Sequence, residues 1–141
     1  MIAAGADVNR RHKCGNTPLW EAAYHGRLDI VKVLLAAGAN QAIYGDDGSG
    51  PLHWAANNGH CDVLQMLLSH GADPNALKEG TYSVLAAAIS SGHAEIVREL
   101  VAAGANVDHR YLRRSMAEFA EWCEQPAIAE MLREARGYRR V

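Results

Sequence analysis

Apolar residues return along this chain at a fixed step. Shifted by 33 residues against itself, the sequence superposes Leu19 on Leu52 and Leu85, Ile30 on Val63 and Ile96, and Leu34 on Leu67 and Leu100. Glycines keep the same step in two registers. One holds Gly26, Gly59 and Gly92; the other holds Gly5, Gly38, Gly71, Gly104 and Gly137, each but the last followed by Ala. A fixed period of this length marks a stack of structural units.

Within one unit the stretch NTPLWEAAYHGRLDIVKVLLAAGAN (residues 16 to 40) predicts two short helices. Thr17 is placed to cap the first by accepting from its free N–H groups, and Pro18 fits the first helical position, where no N–H is needed. Gly26 supplies the left-handed conformation that ends the helix without a Cβ penalty. Asp29 opens the second helix, where the dipole favours a negative charge, as do Asp62 and Glu95 in the next two units; Gly38 closes it. Helices this short are marginal alone in water, so Ile30, Val31, Leu34 and Leu35 are expected to pack against neighbours. Ala22, Ala23, Ala55, Ala56 and Ala88 are small enough to let the first helices approach closely, and the expected core runs continuously along a one-dimensional stack.

This pattern resembles the ankyrin repeat. The family's TPLHxA signature reads here as Thr17, Pro18 and Leu19 with Trp20 in place of His, then as Pro51, Leu52 and His53 with Gly50 in place of Thr. The third unit, SVLAAAI from Ser83 to Ile89, departs further but keeps Leu85, Ala88, Gly92 and His93. The expected fold is an all-α ankyrin-repeat solenoid of stacked helix-turn-helix units joined by short hairpin-like turns. Residues 1–11 are the tail of a truncated repeat, 12–44, 45–77 and 78–110 are full repeats, and 111–141 form a divergent C-terminal capping repeat. In that last segment Phe119, Ile128, Met131 and Leu132 keep helical spacing, offset by about one residue, and Pro126 suits a helix start. Its glutamates make it more polar than the inner units, as a terminal repeat requires.

Composition narrows the reading. The 141 residues are 49% hydrophobic with a formal charge of −2, enough for one domain with a real core and no overall field for nucleic acid or anionic membranes. Lys and Arg number 7 against 11 acids over residues 1–108, and 7 against 5 over 109–141. Cys14, Cys61 and Cys123, an odd and widely spaced set, point to free thiols and a reducing, cytoplasmic setting, the nucleus not excluded. No segment has the apolar length of a membrane span, and the first ten residues lack the pattern of a signal peptide.

One stretch, GSGPLHWAANNGHC (residues 48 to 61), suggests chemistry at first sight. A phosphate loop of the GxxxxGK[ST] form needs Lys where Pro51 stands, and Asp46 and Asp47 would repel a phosphate. Zinc needs three or four ligands converging at about 2.0–2.3 Å, whereas His53, His60 and Cys61 sit at repeat positions that a stack spreads apart. His60 and His93 follow the helix-ending glycines and read as structural hydrogen bonders. No nucleophile, general base or metal motif stands out, so no enzymatic activity, cofactor or metal is expected.

What remains is surface. The resemblance implies protein binding on a concave face made of turn tips and first helices. Positions that differ between units while the framework holds are the candidate contacts: Lys13, Cys14 and Asn16; Tyr44, Asp46, Asp47 and Ser49; Glu79 and Tyr82 on the tips; Tyr24, His25, Asn57, Asn58, Ser90 and Ser91 on the first helices. Tyr24, Tyr44 and Tyr82 lead, because Tyr is enriched among residues that dominate binding energy. Trp20 and Trp54 are expected to pack, Trp54 the more deeply. The Arg-rich HRYLRR (109 to 114) and REARGYRR (133 to 140) leave nucleic acid as a lesser alternative. Met1 and Ile2 fall where the end of a second helix belongs, which leaves two alternatives, a fragment of a longer array or self-association through an uncovered first unit. Cys14, beside Arg11 and Lys13, is a candidate reactive thiol. Asn75 resembles the ankyrin asparagines that hydroxylases modify.

Overall fold

Four helices begin alike in the computed structural model, which describes residues 7–11, 15–43, 49–75, 77–78, 82–108 and 110–140, with side chains described for all of these except 77, 78, 82 and 136–140. Thr17, Gly50, Ser83 and Ser115 each have extended backbone and lead into α1 (Pro18–His25), α3 (Pro51–Asn57), α5 (Val84–Ser90) and α7 (Met116–Trp122). Thr17 Oγ1 accepts from Trp20 N at 3.2 Å, Ser83 Oγ from Ala86 N at 3.0 Å and Ser115 Oγ from Glu118 N at 3.2 Å. Each such cap holds its helix by about 1 kcal/mol. Gly50 has no side chain to cap with. The buried His53 reverses the contact, its Nδ1 accepting from Gly50 N at 3.5 Å.

The second helices are α2 (Leu28–Ala36), α4 (Cys61–Ser69), α6 (Ala94–Ala102) and α8 (Pro126–Arg140), each packed on the first helix before it. First helices contact one another in chain order, and so do second helices, which gives two layers of four. The antiparallel pairing of β1 (Leu77–Lys78) with β2 (Tyr82–Ser83), between α4 and α5, is the one strand pair among the described residues and lies where a hairpin-like turn is expected. The core runs the length of the stack through Leu19, Leu34, Leu52, Leu64, Leu67, Leu85, Ile96, Leu100, Met116, Phe119, Ile128 and Leu132. Burying one such side chain fully contributes about 1.5–3 kcal/mol. The expected small-residue contacts are present, since Ala22, Ala23, Ala55, Ala56 and Ala88 are all buried.

Consecutive pairs are locked by a contact that explains two residue types together. Gly26, Gly59 and Gly92 have φ of 71°, 79° and 75°, in the left-handed region. A Cβ on Gly26 would lie 2.5 Å from His60 Nδ1, one on Gly59 2.8 Å from His93 Cε1, and one on Gly92 2.6 Å from Gln125 Nε2. The side chain that opens the next second helix therefore rests where a Cβ would be. His60 Nε2 meets Tyr24 O at 3.1 Å and His93 Nε2 meets Asn57 O at 3.3 Å. A carbonyl only accepts, so both nitrogens carry their hydrogen there. The structural reading of His60 and His93 is borne out.

The packing expected of α2 needs correction. Val31 and Leu34 are buried, but Leu35 is half-buried and Ile30 is 39% exposed, although its counterparts Val63 and Ile96 are 0% and 2% exposed. This position faces the preceding pair in the later units, and α2 has no such neighbour among the described residues. Val33 is 56% exposed on the same helix.

Candidate interaction face

Two turns of helix separate a cap from the residue seven positions later, so equivalent side chains of packed first helices share one face. Counting seven from Thr17, Gly50, Ser83 and Ser115 gives Tyr24, Asn57, Ser90 and Trp122. The next position gives His25, Asn58, Ser91 and Cys123. Tyr24 is 36% and Trp122 58% exposed, and these aromatic residues bracket a polar middle.

The expected contacts divide by what their side chains already do. Asn58 Nδ2 donates to Tyr24 O at 2.9 Å, Asn57 Nδ2 to Asn58 Oδ1 at 3.2 Å and Ser91 Oγ to Asn57 Oδ1 at 3.0 Å. These three therefore tie the units together while facing the row. Ser90 is exposed and its hydroxyl returns to Ala87 O at 3.1 Å; His25 is exposed and sits 3.7 Å from Glu21. Asn16 is half-buried, its Nδ2 donating to Glu21 Oε1 at 3.2 Å. Ser49 is corrected: it is 3% exposed, too deep to meet a partner, and its carbonyl accepts from Trp20 Nε1 at 3.0 Å. Lys13, Cys14, Tyr44, Asp46, Asp47 and Glu79 lie outside the described residues, as does the side chain of Tyr82. The thiol reading of Cys14 lies outside them too.

The tryptophans are also revised. Trp20 is the deeper, at 8% exposed, whereas Trp54 is half-buried. Tyr24 stacks on Trp20 with ring centroids 5.3 Å apart and an interplanar angle of 7°, and lies 4.9 Å from Trp54. Such ring pairs add about 0.5–1.5 kcal/mol beyond area burial. They hold Tyr24 in one orientation before any partner arrives.

Sequence reasoning missed Trp122. The last pair follows the third by 32 residues, Ser83 to Ser115 and Ile96 to Ile128, so a 33-residue comparison places Trp122 against Ile89 rather than Ser90. Anchoring the comparison on the caps would have found it. Arg114 lies over the Trp122 ring with its guanidinium carbon 4.9 Å from the centroid, and Phe119 is 5.9 Å away. Burial pushes the neighbouring Cys123 thiol above its usual range, with Arg114 pulling the other way. Leu112 was also missed. It is exposed on a tight turn whose ends, Tyr111 and Arg114, exchange backbone hydrogen bonds of 3.0 and 2.9 Å, and both central residues have positive φ, 52° for Leu112 and 65° for Arg113.

Three of the described arginines are engaged locally. Arg110 Nη2 donates to Arg113 O, Arg114 is on Trp122, and Arg133 pairs with Glu121. Among the described residues no helix is long and apolar enough to cross a membrane, and no group of three His, Cys, Asp or Glu side chains converges as metal ligands do.

The family model for ankyrin repeats in three copies matches residues 1–78, and that for a single ankyrin repeat matches residues 82–111. Two curated relatives, each named mitochondrial disaggregase, come from Bos taurus and Homo sapiens. They are 49% and 47% identical to the chain over 47 residues, 33% of its length. That stretch is 7% of the bovine protein and 6% of the human one, so the chain spans a small part of the relatives it matches. A family match over more than half the sequence, on pairs that repeat one extended entry and one glycine contact, means that the chain belongs to the ankyrin-repeat family.

Proposed function

We propose that the chain is a non-catalytic module that binds a partner protein through the first-helix face, with Tyr24 and Trp122 as its anchors. The observation that carries this reading is the row seven residues past the four caps, with exposed aromatics at both ends of a rigid polar strip. Ankyrin repeats are protein-interaction modules, and a preorganised face loses little entropy on association. The turn-tip residues Lys13, Tyr44, Asp46, Asp47, Glu79 and Tyr82 extend the face in this reading, and the segment 111–141 serves as its cap. The role is that of an inhibitor, effector or recruiting scaffold, inside the cell by the cysteine argument. The mixed charge and the engaged arginines favour protein over nucleic acid.

The test is affinity capture from cell lysate, comparing the chain with a Tyr24→Ala, Trp122→Ala variant that circular dichroism shows to be folded at the capture temperature. Retention of a protein by the parent and its loss from the variant supports the row; equal retention by both removes it. Hot-spot aromatics cost about 2 kcal/mol or more on truncation, roughly a thirtyfold loss of affinity.

A second reading has its own observation. Ile30 and Val33 are exposed on α2, and such a face suits self-association. A particle mass that stays monomeric at 100-fold different concentrations would remove it, whereas a dimer abolished by Ile30→Asp would support it.

A further inference from the structure

The turns after the second helices carry a ladder of side-chain amides with one rung missing. In all four units the first residue of an Asx turn accepts from the N–H two positions on: Asp7 from Asn9 at 2.9 Å, Asn40 from Ala42 at 2.9 Å, Asp73 from Asn75 at 2.8 Å and Asn106 from Asp108 at 2.9 Å. The third residue then bridges to the next unit. Asn9 Oδ1 accepts from Asn40 N at 2.6 Å and Asn75 Oδ1 from Asn106 N at 2.7 Å, while Asn75 Nδ2 donates to Gly104 O at 3.2 Å. Between these two rungs the bridging position is Ala42, which has no amide.

The gap is a cavity of about 270 Å³ lined by Gln41, Ala42, Leu52, His53, Gly71 and Asp73, among others. A single water needs only about 10–15 Å³ of such space. Gln41 partly compensates, donating from Nε2 to His70 O at 3.0 Å. That carbonyl requires a donor, which fixes the amide's orientation and leaves Gln41 Oε1 buried without a hydrogen-bond partner. Among the described residues the Asp73 N–H, counterpart of the N–H groups of Asn40 and Asn106, meets no acceptor. Gly71, counterpart of the Gly104 whose carbonyl takes the Asn75 amide, lines the same cavity.

We infer that this cavity is a binding site for a primary carboxamide, the group the ladder itself uses on either side. Its oxygen accepts from the Asp73 N–H and its hydrogens serve the Gly71 carbonyl, the pairing that the Asn75 amide makes with Asn106 N and Gly104 O. A carboxylate brings no hydrogen for that carbonyl, and the Asp73 side chain beside it repels the charge. An ammonium brings no acceptor for the N–H. The carboxamide comes either from an asparagine or glutamine of a partner or from a small amide in solution. The site is separate from the first-helix row and stands or falls independently of it.

The experiment is an amide-resolved NMR titration of the full chain with acetamide, with acetate as the isosteric control, and with asparagine blocked at both ends. Acetamide is expected to shift the Asp73 backbone amide and the Gln41 side-chain amide to saturation while acetate leaves them in place. Ala42→Asn supplies the rung from within, so it is expected to abolish the acetamide response and raise Tm by about 3 °C. Tighter binding of blocked asparagine than of acetamide assigns the ligand to a partner's side chain; the reverse assigns it to a free amide. An Asp73 signal that ignores acetamide, equal responses to acetamide and acetate, or a response that survives in a folded Ala42→Asn variant overturns the inference. The parent titrations decide it even if that variant does not fold.

Discussion

The first and the last described helix pairs treat their outward faces in opposite ways. At the C-terminal end, the first-helix position that faces a following pair, Ala23, Ala56 and Ile89 in turn and buried in all three, becomes the exposed Glu121. The matching second-helix position, Leu35, Leu68 and Val101, becomes Arg133, and the two new charges pair. At the N-terminal end the outward positions stay apolar: Ile30 and Val33 are 39% and 56% exposed. The comparison teaches that the outward face of a pair turns polar by a change of two residues, with the packing beneath left intact.

The largest expected effect tests that asymmetry with one residue type at equivalent positions. Ile128, 1% exposed in α8, corresponds to Ile30 in α2. Ile128→Ala is expected to cost about 3 kcal/mol and Ile30→Ala less than about 1 kcal/mol in urea denaturation, because only the first leaves a cavity. Equal losses would mean that Ile30 is covered in solution and would break the comparison.

Next comes the lock between pairs. Gly59→Ala meets both a φ of 79° and His93 at 2.8 Å, whereas Gly71→Ala, at φ 92°, has nothing within 4 Å. Thermal unfolding should show a loss of about 1 kcal/mol for Gly71→Ala and about twice that for Gly59→Ala.

The turn leading into the last pair offers a gain of similar size. Leu112 and Arg113 occupy positive φ where hairpin turns prefer Asn-Gly, so Leu112→Asn with Arg113→Gly should stabilise the C-terminal end by about 1 kcal/mol. The smallest change in stability is expected from Glu121→Leu with Arg133→Leu, an exposed pair whose loss barely moves Tm. Its readout is light scattering: the apolar end should associate, and a variant that stays monomeric would show that those charges do not keep the end soluble.

Much of this architecture is written in the period itself. Glycines, leucines and caps at one step place the helices, and the glycine–histidine contact is foreshadowed by His60 and His93 recurring after Gly59 and Gly92. Less legible was what depends on a neighbour. Ile30 reads like Ile96, yet one is exposed and the other buried, because burial belongs to the adjoining pair rather than to the residue. Trp122 was hidden by a one-residue change of step, and Ser49 looked like a tip residue although its backbone serves Trp20. The row of Tyr24, Asn57, Ser90 and Trp122 is set by caps, which share a role but not an amino acid.

Glu124 has one more consequence. It occupies the turn position of Gly26, Gly59 and Gly92, with φ 62°, and it carries the Cβ that those glycines lack. In the first three pairs that missing carbon is where the incoming side chain rests. The fourth pair therefore receives a neighbour on one side, while on the other the Glu124 Cβ fills the place that an identical docking would use. Gene duplication of a 33-residue block carries glycine and histidine together, so new blocks inserted ahead of α7 keep every junction sound, while one copied on behind Glu124 meets a blocked socket.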